Sequence, residues 1–272
     1  MHFQFSTVEI LWTLTFAALL VLLVVLLGRD RVRRFPWFTA SIVLVALRML
    51  ASRLLFGKMA PLTSSEIFLV MADVAMAVSL LVVVEMARRG FARASRTAWI
   101  VGALVLLAIS GTVAAFWGAW PAWKTLVANS TLGHLRLMQL AAQKGDLLAD
   151  LLIIELGLLM AFAGSRFNAG WRTHTQRIVI GLSTGSIMQL IVRTVWQKIA
   201  NGAPPRSQAE YTRISGLQDK LFNANSAVYL LILLWWIACL WIEEPGAKPA
   251  APAGGIPAEA AVDGSSPELM DQ

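Results

Sequence analysis

Seven predominantly apolar runs, at residues 9–27, 37–57, 65–87, 98–119, 146–165, 177–200 and 224–242, take up most of this chain. Each has about 18 residues or more, the length a helix needs to cross the hydrocarbon of a bilayer. Hydrocarbon offers no hydrogen-bond partners to backbone N–H and C=O groups, so such a run closes its own bonds as an α-helix. Composition agrees: 57% of the 272 residues are hydrophobic, 14% are charged and the mean hydropathy is +0.66. That is too apolar for a soluble domain of this size. The expected fold class is all-α, a polytopic membrane protein built as a seven-transmembrane-helix bundle over residues 1–244. Residues 245–272, with five prolines and almost no large apolar side chain, read as a disordered tail.

Basic residues orient the bundle. Nothing basic precedes the first run, while Arg29, Arg31, Arg33 and Arg34 follow it directly, a pattern unlike a cleavable signal peptide. Arg88, Arg89, Arg93 and Arg96, then Arg166, Arg172 and Arg177, fall in short connections on the same side. The positive-inside bias makes that side cytoplasmic. The expectation is a multi-pass cell-membrane protein with its N-terminus outside and its C-terminus in the cytoplasm. Tryptophans collect near both boundaries of this frame, Trp37, Trp99, Trp171 and Trp241 at the inner one and Trp12, Trp117, Trp120, Trp123 and Trp196 at the outer one. The net charge of +7 therefore reads as topology and contact with the lipid bilayer, not as nucleic-acid binding.

Smaller signals refine the picture. Thr63 with Glu66 has capping-box spacing and would open the third span. The outer connections 120–145 and 201–223 are expected to extend spans five and seven as helices beyond the membrane. Asn129-Ser-Thr131 fits a glycosylation acceptor. SIVLVALRMLASRLLFG, 41–57, aligns without gaps on SIMQLIVRTVWQKIANG, 186–202, with Arg48 meeting Arg193 and Arg53 meeting Lys198. Both stretches cross in the same direction, which implies a 3+1+3 parallel repeat with span four as linker.

Charges inside apolar runs carry the functional reading. Such a residue costs about 2.5–3.5 kcal/mol near the bilayer centre even on the lenient insertion scale, so it needs a reason. Counting rise from the outer ends of the spans puts Arg48, Asp73, Glu155 and Arg193 in one deep layer, roughly 12–15 Å down. The expected pairs are Arg48 with Asp73 and Arg193 with Glu155. Arg53, Lys198 and Asp150 form a shallower layer, with Glu66 at its edge, in which Arg53 and Lys198 snorkel. The deep four fix helix register as ion pairs, line a pocket for a small anionic solute, or contact lipid headgroups.

The stretch GLSTGSIMQLIVR, 181–193, contains a G-x-S-x-G pattern that would suit a nucleophile elbow. An elbow serine needs a histidine base, and His2, His134 and His174 all lie outside the runs. Gly181 and Gly185 are instead expected to let a neighbouring helix approach closely. The same histidines give no haem or metal set, and the last run has no lysine for a retinal protein resembling the rhodopsins. No cofactor and no enzymatic activity are expected. The functional expectation is a transporter or solute-binding membrane protein with a charged pocket in its outer half. The alternative is a non-transporting sensor or assembly factor whose intramembrane ion pairs are purely structural.

Overall fold

A computed structural model describes residues 7–55, 58–92, 95–118, 120–121, 131–163, 173–200 and 207–243. Among them are eight helices: α1 (Thr7–Gly28), α2 (Arg31–Arg34), α3 (Pro36–Leu55), α4 (Pro61–Gly90), α5 (Arg96–Phe116), α6 (Thr131–Ala163), α7 (His174–Ala200) and α8 (Gln208–Trp241). Six are long and apolar enough to cross a membrane. Of the other two, α2 is a single turn, and α6 carries Asp146, Asp150 and Glu155 along its apolar stretch. The glycosylation pattern at Asn129 and the tail from 245 lie outside the described residues.

Local chemistry sets the helix starts. α5 and α8 open on serine N-caps: Ser95 Oγ accepts from the Ala98 N–H at 3.2 Å, and Ser207 Oγ from the Glu210 N–H at 3.2 Å. α4 opens differently from expectation, at Pro61 after Ala60 with no side-chain cap, so Thr63 and Glu66 lie inside the helix. Proline's fixed φ and missing N–H suit it to a first helical turn, which moves the start two residues ahead of the capping box. α6 and α8 do extend into the connections, from Thr131 and Gln208 respectively.

α1, α3, α4, α6, α7 and α8 form a closed ring in that order, α8 returning to α1, with α4 also touching α7. α5 packs against α6 alone among the described helices. Lys144 on α6 ties that helix down by donating to the last carbonyls of α5, Ala114 O at 3.0 Å, and to Trp117 O at 2.6 Å. A cation there also suits the negative end of the helix dipole.

The core lies at one end of the ring, the end where α1 finishes and α3 begins. Leu22, Leu26, Phe35, Phe38, Met86, Met160, Ile178, Leu233 and Leu240 are all buried there. Phe38 meets Trp236 edge to face at 5.0 Å. Glu85, buried on α4, caps α3 from outside the helix: the Phe38 N–H donates to Oε2 at 3.0 Å, and Arg89 lies 3.6 Å from Oε1. The first N–H groups of a helix lack intrahelical partners, so a carboxylate at that point satisfies both a donor and the dipole. Arg29 closes the same end by reaching Glu243 at 3.5 Å and lying over the Trp241 ring. The opposite end, where α1 begins, holds the larger of two cavities.

Candidate functional site: a charged layer between two cavities

Two serine hydrogen bonds set the register of α6 against α7. Ser186 Oγ donates to Asp150 Oδ1 at 2.9 Å, and Ser183 Oγ donates to the Ile153 carbonyl at 2.9 Å. Arg193, about two turns beyond Ser186, then comes level with the start of the α6 apolar stretch. Its Nη2 lies 3.4 Å from Asp150 Oδ2 and 3.8 Å from Asp146 Oδ2, and Nη1 donates to Gln143 O at 3.5 Å. Asp146 also lies within electrostatic reach of Arg48 on α3 and Asp73 on α4. Five charged side chains from four helices thus share one layer.

Three of the four residues expected from sequence, Arg48, Asp73 and Arg193, gather around Asp146. Glu155 does not join them. It points toward α5, where the Ser110 hydroxyl lies against its carboxyl. The expected Arg193–Glu155 pair is therefore replaced by Arg193 with Asp150 and Asp146. Depth counting took all spans to begin at one level, whereas α6 starts at Thr131, well before its apolar stretch, and slides Glu155 more than a turn past Asp150. The expected Arg48–Asp73 ion pair is also not formed. Asp73 Oδ1 is buried with no hydrogen-bond partner, and Arg48 has no carboxylate within ion-pair distance among the described residues. The shallow layer is rearranged as well, since Asp150 belongs with Arg193, and Arg53 reaches Glu9 on α1 at 3.6 Å with its guanidinium over Trp12.

Arg48 stands between two cavities. The larger, about 570 Å³, opens at the end where α1 begins and is walled by α1, α3, α7, α8 and Phe68 of α4. The smaller, about 290 Å³, lies among α3, α4, α6, α7 and α8 and contains Asp146, Asp150, Ser186 and Arg193. Val45, Arg48, Gly185, Gln189 and Tyr229 belong to both walls. Asn223, Asn225 and Ser226 add neutral polar groups to the larger one, and no carboxylate is among its described lining residues.

Ser183 is engaged as a packing group. Its hydroxyl is held by α6, and His174, nine residues earlier on the same helix, is roughly 13 Å away along the axis. The glycines divide the packing work unequally. A Cβ on Gly181 would collide with the Trp236 indole and one on Gly157 with Ser183 Oγ, whereas on Gly185 it would make ordinary contact with Ile232 at 3.5 Å. The close approach expected at Gly185 is therefore made at Gly181 and Gly157. Among the described residues, no group of histidine, cysteine and carboxylates has the arrangement of a metal site. No protein-family model, curated protein or solved structure matches the chain, so the site is read from its own chemistry.

Proposed function

We propose that this chain is a seven-span cell-membrane protein that binds a small anionic solute, a transporter or a solute-binding protein of transporter architecture. The observation that carries the proposal is Arg48. A guanidinium without a carboxylate in ion-pair contact stands where a solute-sized cavity of about 570 Å³ meets a charged chamber. Intramembrane cations in bundles mostly pair or mark a solute path, and Arg48 has the surroundings of the second kind. Asp73 and Asp146 then orient Arg48 electrostatically, and Arg193 holds α7 to α6 behind it.

Helix order supports a 3+1+3 parallel repeat. Around the ring, α1, α3 and α4 are followed in order by α6, α7 and α8, the order that two parallel three-helix repeats would give, while α5 lies outside the ring against α6. Transporters built of repeats bind solute at the repeat interface, and Arg48 and Arg193 face the smaller cavity from the two sides of that interface. With the N-terminus outside, the larger cavity opens outward and the packed core closes the cytoplasmic end.

A second reading has its own observation. Arg193 is directly paired with Asp150 and Asp146, which suits a sensor or assembly factor whose charges only fix helix register. One measurement separates the two. A ligand that binds only the folded form raises its apparent stability, so small anions added to purified protein should raise its melting temperature, and Arg48→Gln should abolish the rise. No stabilisation by any anion, or a rise that survives in Arg48→Gln, favours the structural reading.

A further inference from the structure

We infer that the ligand of the larger cavity is a singly charged organic anion with an apolar body, of the monocarboxylate class. The inference deepens the proposed solute-binding reading and rests on it.

Charge fixes the first part. Among the described residues the wall of the larger cavity contains one cation, Arg48, and no carboxylate. The neighbouring guanidiniums are already engaged, Arg193 by Asp150 and Asp146 behind the cavity and Arg53 by Glu9 at its rim. Asp146 and Asp73 lie outside this wall and make no ion-pair contact with Arg48, so the one charge that faces the cavity is positive and matches one negative charge. A cationic ligand would face Arg48 with no counterion, and a dianion would keep a second charge against walls that cannot neutralise it. A guanidinium binds a planar carboxylate through two parallel N–H donors, which favours that anion among singly charged ones.

The walls fix the second part. Trp12, Val45, Met49, Phe68 and Phe222 surround the charge with apolar surface. A bare inorganic anion would bury none of it, whereas a ligand with an aromatic or branched body removes both its own and the wall's apolar surface from water. Asn225 and Tyr229 lie along the cavity as neutral donors and acceptors and can bond a second, uncharged polar group.

Binding of five probes to the purified full-length protein in lipid nanodiscs tests the class. They are 3-phenylpropionate, its amide 3-phenylpropanamide, its amine 3-phenylpropylamine, acetate and sulfate. The expected order places 3-phenylpropionate about tenfold or more above every other probe. Arg48→Gln should bring acid and amide to equal affinity. Asn225→Asp, which leaves Arg48 in place and adds a wall carboxylate to neutralise it, should abolish the preference for the acid over the amide, so the inference stays testable if the arginine variant does not fold. Acetate or sulfate binding as tightly as 3-phenylpropionate, and still depending on Arg48, overturns the class while leaving the anion site standing. Acid and amide binding alike in the wild type, or no probe binding at about 10 mM, overturns both. A membrane source for the ligand is separated by adding octanoate: an Arg48-dependent preference for the linear chain over the aryl acid assigns the monocarboxylate to lipid.

Discussion

Asp150 accepts a serine hydroxyl on one oxygen and lies 3.4 Å from the Arg193 guanidinium on the other, which makes it the most completely satisfied carboxylate in the layer. Its side chain is 16% exposed and that of Arg193 28%, so removing either partner leaves the other in a weakly solvating place. Arg193→Met should lower unfolding stability by about 2 kcal/mol, and Arg193→Met with Asp150→Leu should recover much of it, because an apolar pair can replace a buried ion pair at little cost. Arg193→Met combined with Glu155→Met should instead give additive losses within about 0.5 kcal/mol, as residues without contact do. The check is a double-mutant cycle in detergent; coupling with Glu155 and none with Asp150 would contradict the register described above. Sequence contained the signal that separates these carboxylates. Asp146 and Asp150 are four apart and share a helix face, while Glu155 is five beyond Asp150 and points about 140° away. Counting depth alone concealed it, because depth needs the true helix start and face does not. Arg48 and Asp73 were legible as costly charges, but their lack of a direct ion pair depends on side-chain reach across two interfaces, which no spacing along one helix records.

At the scale of elements, helix identity followed from apolar length, since hydrocarbon leaves the backbone no alternative to internal hydrogen bonds. Packing between helices was less legible, because small residues are common in such runs and only the facing side chain decides which of them matters. Gly181 faces the Trp236 indole and Gly185 faces cavity space and the end of Ile232. Gly181→Ala should therefore destabilise the protein by about 1–3 kcal/mol through overpacking, and Gly185→Ala should fall well short of that. Thermal melts of the two variants check this; equal losses would mean that α7 and α8 do not meet at Trp236. Glu85 was missed for a related reason. As a carboxylate near the end of an apolar run it looks like a boundary residue, and its role as a cap for α3 exists only after α3 and α4 have packed.

Over the whole molecule, the two ends of the ring differ in kind. One end is packed through Phe35, Phe38, Met86, Trp236 and Leu240 and tied by Glu85 and Arg29, while the other contains the larger cavity. A solute path through such a ring must alternate which end is open, and the arrangement described here is open toward the start of α1. In the proposed orientation, with the basic connections in the cytoplasm, the closed end is cytoplasmic and this state should face outward in cells. Single cysteines in a Cys239→Ala background test it: Ser226→Cys on the cavity wall, Glu210→Cys at the start of α8, and Arg33→Cys in α2. An impermeant thiol reagent added to intact cells should label positions 226 and 210 and spare position 33 until the cells are permeabilised. Labelling of 33 alone in intact cells would invert the topology, and with it the direction in which the cavity opens. Labelling of 210 but not 226 would keep the topology and leave Arg48 out of reach from outside, which removes the access that the proposed solute site requires.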